Sequence, residues 1–142
     1  MRVTLRILLW AFGLSGVMIA LSIFLLGAQA TAWSGEGLIS ALGIYRGARS
    51  EPWSTSMDSE LRFYAAMFGA YSLVMIWVAR ALAARLNIVP WLSAAFFVGG
   101  VGRAISYAAI GPPHPFFLVL MAFELALPPA LVGLWLGLRN AP

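Results

Sequence analysis

The chain has 142 residues, of which 62% are hydrophobic and 10% charged, with a mean hydropathy of +0.90. That composition excludes an ordinary soluble domain. The absence of cysteine excludes disulfides, thiolate metal ligands and a cysteine nucleophile. The net charge of +4 comes from arginines placed mostly at the ends of apolar runs, the pattern of membrane topology signals, so no nucleic-acid partner is expected.

In chain order, a short basic head, Met1 to Arg6, precedes the uncharged run Ile7 to Leu26, which is long enough to span a bilayer. Ala28-Gln29-Ala30 has the small-x-small form of a signal-peptide cleavage site. The apolar run is longer than the usual signal core, so a retained helix over about 5–29 is expected. Gly13, Gly16 and Ala20 give it a face suited to close helix packing.

Residues 30–57 form an outer loop rich in Gly, Ser and Thr, long enough that some internal order is expected. Leu38, Ile39, Leu42 and Tyr45 recur at near-helical spacing, which predicts a short interfacial helix ending near Gly47. Trp33, Tyr45 and Trp53 suit the headgroup zone.

A second helix is predicted over 58–85, capped by Ser56 or Asp58. A third follows over 89–110. Gly111-Pro-Pro-His-Pro115 cannot continue it, because prolines lack donors and restrict their neighbours. A fourth covers 116–138. The expected fold is therefore all-α: one integral membrane four-helix up-down bundle over 1–142. Arg2, Arg6, Arg80, Arg85 and Arg139 outnumber Arg46 and Arg49, which places both termini in the cytoplasm and the protein in the inner (cytoplasmic) membrane.

One arginine stands inside the third run and one glutamate inside the fourth. An ionised group at the centre of a span costs about 2.5–3.5 kcal/mol even on the mildest scale, so Arg103 needs a partner. Arg103 lies eight residues before Gly111, and Glu124 nine after Pro115. At about 1.5 Å per residue both sit roughly 12–14 Å from the turn. Phe96, Gly99, Gly100, Arg103, Ser106 and Tyr107 share one helix face, and the glycines leave room beside the guanidinium. Pro128 and Pro129 cannot donate to the carbonyls of Glu124 and Leu125, so a kink is expected just inward of Glu124.

Near the outer end of the second helix, Glu60 and Tyr64 share a face with Met67 and Tyr71, while Arg62 points elsewhere. Ala122, Ala126, Ala130, Gly133 and Gly137 form a packing stripe on the fourth helix. His114, between prolines, reads as a turn residue, and one histidine without a carboxylate cluster gives no metal centre. Gly99-Gly-Val-Gly102 follows no strand and is not a dinucleotide loop.

Asp58-Ser-Glu-Leu-Arg-Phe-Tyr64, Gly99-Gly-Val-Gly-Arg-Ala-Ile-Ser106, Gly111-Pro-Pro-His-Pro115 and Glu124 together resemble the bacterial membrane family known as domain of unknown function 4345. The resemblance implies four membrane helices. It marks Glu60, Arg62, Tyr64, Arg103, Ser106 and Glu124 as family-pattern positions, and brings no activity. The layout is similar, more loosely, to the DoxX-like four-helix proteins.

The Arg103–Glu124 pair has three readings: a device that fixes helix register, a ligand pocket, or a route for ions or protons. The ligand pocket leads. It would take a lipid-like or small amphiphilic ligand, with Glu60, Arg62, Tyr64, Arg103, Ser106, Tyr107 and Glu124 as binding residues. Phe96, Tyr107 and Met121 would contact its apolar part. No catalytic residue, metal or cofactor is assigned. The alternatives are an intramembrane enzyme, using Glu124 or Glu60 as proton carrier and Arg103 to stabilise negative charge, and an assembly partner for another membrane protein.

Overall fold

The computed structural model describes residues 1–139; the last three positions of the expected 1–142 domain lie outside the described residues. The described chain is all-α. Helix α1 spans Arg2–Leu26, α2 Ala28–Ala41, α3 Thr55–Arg80 and the one-turn α4 Leu82–Arg85, while α5 spans Val89–Ile110 and α6 Pro115–Arg139. Four stretches are long and apolar enough to cross a membrane: α1, α3, the α4–α5 run Leu82–Ile110, and α6. Large apolar side chains such as Ile7, Met18, Leu25, Val98, Ile105 and Ile110 stand exposed around them. In a bilayer those surfaces face lipid, so no water is left to drive them inward.

Helix α1 lies antiparallel against α3. Its buried residues Leu5, Leu9, Gly13, Gly16 and Ala20 recur at three- and four-residue steps and form a single stripe. Along that stripe the two backbones nearly touch. A Cβ added at Gly13 would lie 2.6 Å from Ile76 Cγ1 and 3.1 Å from the Ser72 carbonyl oxygen, and one added at Gly69 would meet Ala20 at 3.3 Å. The packing face read from Gly13, Gly16 and Ala20 is this contact.

The first helix ends earlier than the expected residue 29. Gly27 takes φ 93°, a left-handed conformation that L side chains avoid, and the chain restarts there as α2. The expected outer loop 30–57 therefore begins with a helix, and α2 buries Ala28, Ala32, Glu36 and Ile39 against the bundle. Leu38 and Leu42, expected to define the interfacial helix, are exposed. The N-cap of α3 is Ser54, whose hydroxyl accepts from the Met57 N–H at 3.2 Å, in place of Ser56 or Asp58.

At the other end of the bundle Leu5, Leu9, Met75, Val78, Ala79, Leu82, Val89, Leu92 and Leu131 make one apolar core drawn from all four spans. Arg85 lies over the Trp77 ring, 3.7 Å from its centroid, and donates to the Trp77 carbonyl, covering an open end of α3. Helix α6 runs on through Pro128 and Pro129. Of its small-residue stripe, Ala122, Ala126, Ala130 and Gly133 are exposed, and a Cβ on Gly133 would meet nothing within 4 Å.

Close approach at Gly13 against open space at Gly133 gives a paired test. Gly13→Leu should cost about 1–3 kcal/mol through overpacking and lower the thermal midpoint in detergent by several degrees, whereas Gly133→Leu should leave it near the wild-type value.

Candidate functional site

Gly100 is buried and lets α5 close on α6: a Cβ there would lie 2.9 Å from Leu125 Cδ2 and 3.0 Å from Glu124 Cβ. One turn on, Arg103 Nε donates to Glu124 Oε2 at 2.7 Å. The two groups are brought together at the depth that counting from the proline turn gives. The carboxylate is the more enclosed, with 14% of its side chain exposed against 38% for the arginine. Among the described residues Arg103 makes this one hydrogen bond, through Nε. A guanidinium has five N–H donors, so the two terminal nitrogens keep theirs for another acceptor.

Beside the pair, toward the apolar core, lies a cleft of about 190 Å³ lined by Phe68, Tyr71, Ala95, Phe96, Gly99 and Glu124. It sits where the α1–α3 pair meets the α5–α6 pair. Phe68, Tyr71 and Phe96 make an aromatic wall, Tyr71 lying nearly parallel to both at centroid distances of 6.5 and 6.3 Å. The Tyr71 hydroxyl donates to the Leu92 carbonyl at 2.7 Å, so its hydrogen is already engaged. A Cβ on Gly99 would meet nothing within 4 Å, so that position opens onto free space. A larger groove of about 330 Å³ between α1 and α3 is lined by Val17, Ala20, Phe24, Ala65, Gly69 and Leu73 among others, with no charged group to orient a ligand.

Glu60, Arg62 and Tyr64 are not brought to this cleft. They lie seven to eleven residues before Tyr71 on the wall, or roughly 10–17 Å along α3 at 1.5 Å per residue. Glu60 is exposed, and Tyr64 is 58% exposed with its ring edge-on to Phe63. Arg62 works at the α1–α2 break. Asp58 Oδ1 accepts from the Ala28 N–H at 3.1 Å, and Oδ2 accepts from Arg62 Nε at 2.8 Å. Arg62 Nη1 then donates to the Phe24 carbonyl at 2.6 Å. One carboxylate thus satisfies a donor opened at the start of α2, and one guanidinium an acceptor left at the end of α1. Ser106 and Tyr107 are exposed on α5, and Met121 is half-buried on α6.

Sequence reasoning missed Glu36. It is 4% exposed on α2, with Oε2 accepting from the Ser50 N–H at 3.1 Å and Oε1 buried without a hydrogen bond. His114 Nδ1 lies 3.7 Å from that Oε1. The repeat of Ala28, Ala32 and Glu36 at four-residue steps was the available signal. Around this point the segment after α2 is fastened down. Gln29 Oε1 accepts from the Trp53 N–H at 2.8 Å, Trp33 Nε1 donates to the Ser50 carbonyl at 3.2 Å, and Arg49 lies over the Trp33 ring. Trp53 packs on Phe117 at 5.9 Å between centroids, and Arg103 lies 6.0 Å from the same Phe117 ring. Helix α2 and its following segment form a cap that reaches the arginine through Phe117. Among the described residues no cluster of three or more His, Cys, Asp or Glu could hold a metal ion.

Residues 4–136 match the family model described as Domain of unknown function (DUF4345). No curated protein and no solved structure matches the chain.

Two sets of substitutions separate the polar contacts. Glu124→Leu should destabilise the protein by about 1.5–3 kcal/mol, the worth of a hydrogen bond to a charged group. Adding Arg103→Leu should recover most of that, because the stranded charge is then gone. Asp58→Ala should cost about 1–2 kcal/mol as a lost cap and speed amide exchange over the first turn of α2. Chemical unfolding and hydrogen exchange in detergent read both.

Proposed function

The chain belongs to the DUF4345 family, and because that membership carries no assigned activity, we propose from the cleft that this multi-pass membrane protein binds an anionic or polar-headed amphiphile. The observation that carries the reading is Arg103, half-open at mid-span, with donors to spare beside an apolar cleft. An ionisable residue inside a span is a functional candidate by default, and this one has both a partner to orient it and space beside it.

In this reading the terminal nitrogens of Arg103 meet the head, in the forked geometry that suits carboxylate and phosphate oxygens. Glu124 holds the guanidinium by Nε and keeps it from turning away. The aromatic wall of Phe68, Tyr71 and Phe96 receives part of one hydrocarbon chain. The cleft is smaller than the roughly 300 Å³ at which pockets begin to enclose a drug-sized molecule. A ligand would therefore enter sideways from the bilayer and leave most of its length in lipid.

We also read the four spans as alternating up and down, as in the DoxX-like layout, in the inner membrane with both termini cytoplasmic. The arginine balance supports that orientation, which puts the cap on the outer side and the apolar core toward the cytoplasm.

Native mass spectrometry of gently purified protein, exposed to a total lipid extract, tests the binding. The wild-type protein should retain an amphiphile. Arg103→Gln should weaken retention by tenfold or more, about 1.4 kcal/mol, and Glu60→Gln should not change it. Gly99→Leu should fill the cleft and abolish retention at unchanged thermal stability. Absence of any retained amphiphile, or equal retention in Gly99→Leu, would overturn the reading.

A further inference from the structure

The ion pair at mid-span uses only half of each partner. Arg103 Nε reaches Glu124 Oε2 at 2.7 Å, and among the described residues neither side chain makes a second hydrogen bond. The arginine keeps the donors of its two terminal nitrogens, and the glutamate keeps Oε1 as an acceptor. That oxygen is not sealed inside the protein. Among the described residues the fully buried side-chain atoms without a partner are Glu36 Oε1 and Trp135 Nε1, whereas Glu124 lines the cleft of about 190 Å³.

Nothing else on the wall of that cleft can answer the carboxylate. Phe68, Ala95, Phe96 and Gly99 have no polar side-chain group, and the hydrogen of the Tyr71 hydroxyl goes to the Leu92 carbonyl. A carboxylate oxygen on an apolar wall inside a span is a cost until a donor comes to it. Space for that donor exists. Gly99 stands one turn before Arg103 on α5, and a Cβ there would meet nothing within 4 Å.

Charge balance points the same way. An arginine and a glutamate together are formally neutral, so the site has no excess charge to offer a bare anion. An anionic head that meets the guanidinium also comes close to the carboxylate joined to it, where a low dielectric screens the repulsion poorly. A bare cation meets the opposite difficulty at the guanidinium. A head with both charges a short linker apart sets each against its complement and carries no net charge into the span.

We propose that the Arg103–Glu124 pair selects a zwitterionic amphiphile with a primary ammonium: its phosphate or carboxylate on the terminal nitrogens of Arg103, its ammonium on Glu124 Oε1. This rests on the amphiphile reading and narrows it to one class of head. The ammonium must carry hydrogens, because Oε1 only accepts and a trimethylammonium has none to donate. Glu124 is thus the residue that sets specificity, beyond its part in holding the arginine.

Binding to the full chain in an uncharged maltoside detergent would be measured by native mass spectrometry and titration. One probe series is lysophospholipids that share a chain and differ in head. Lysophosphatidylethanolamine should bind roughly tenfold or more tightly than lysophosphatidylcholine, which lacks the N–H donors, and than lysophosphatidic acid, which lacks the cation. The second series sets a long-chain α-amino acid against its N-trimethyl derivative and the fatty acid of equal length. The preference in either series supports the proposal, and the series that shows it names the anion as phosphate or carboxylate. Its absence from both overturns the proposal.

Glu124→Gln leaves a carbonyl for Arg103 Nε and puts an N–H in place of the free oxygen. It should lose the preference for the ammonium and bind lysophosphatidic acid more tightly than the wild type does. A variant that keeps the wild-type preference would overturn the proposal. Should it not fold, the wild-type head-group series decides alone. Anionic probes that bind as well as their zwitterions sink this assignment and leave the amphiphile reading standing. If no probe of either series binds, both fall.

Discussion

Inside a bilayer a polar group that loses its partner finds no water to replace it, and that rule organises the half of this protein that carries the α5–α6 turn. Three acidic side chains there each face a basic one at a place where the bundle would otherwise come apart. Asp58 and Arg62 stitch the break between α1 and α2. Glu124 and Arg103 join α5 to α6. Glu36 and His114 face each other where the cap meets the α5–α6 turn. The opposite half works differently, with an apolar core of Leu, Val and Met drawn from all four spans. One end is held by contacts between charged and polar groups, the other by contacts between hydrocarbon side chains.

The cleft belongs at the boundary between these regimes. Helices α1 and α3 lock through Gly13, Gly16 and Gly69, where backbones approach too closely for side chains to intervene. Helices α5 and α6 lock the same way at Gly100. Between the two pairs no such approach occurs at the level of Phe68 and Phe96. Bulky rings meet there with a carboxylate among them, and space remains. Tight packing within each pair is what leaves the gap between pairs.

Much of this was legible in the chain, and the remainder was hidden for physical reasons. The spans followed from hydropathy, and the Arg103–Glu124 contact from counting outward to a turn that prolines force. The break at Gly27 was not legible, because one glycine between Leu26 and Ala28 looks no different from the glycines inside α1. What makes it a break is the pair of side chains on α3 that answer its open donors and acceptors, thirty and more residues away. Asp58 was recognised as a capping type, yet it caps α2 and not its own helix. Helix α2 was sought by its large apolar residues, but Leu38 and Leu42 face outward. The buried face is carried by Ala28, Ala32, Glu36 and one large apolar residue, Ile39, so at Leu38 and Leu42 the usual signal of amphipathicity points the wrong way.

That inversion bears on what α2 is for. A helix kept in place by large apolar contacts alone docks without a dependence on charge, since burial of hydrocarbon involves no ionised group. Helix α2 instead sets two alanines, a carboxylate and only one large apolar residue, Ile39, against the bundle and leaves Leu38 and Leu42 exposed. Its attachment therefore rests on few contacts, several of them polar, and Glu36 Oε1 is buried there without a hydrogen bond. The last ring beneath it, Phe117, is also the ring beside Arg103. The elements beneath the cap, α3, α5 and α6, are joined to one another at the far end by Met75, Val89 and Leu131, so the core there does not depend on it. The placement of weak polar contacts over a firm apolar base is what a membrane protein needs if one end is to open while the bundle stays whole.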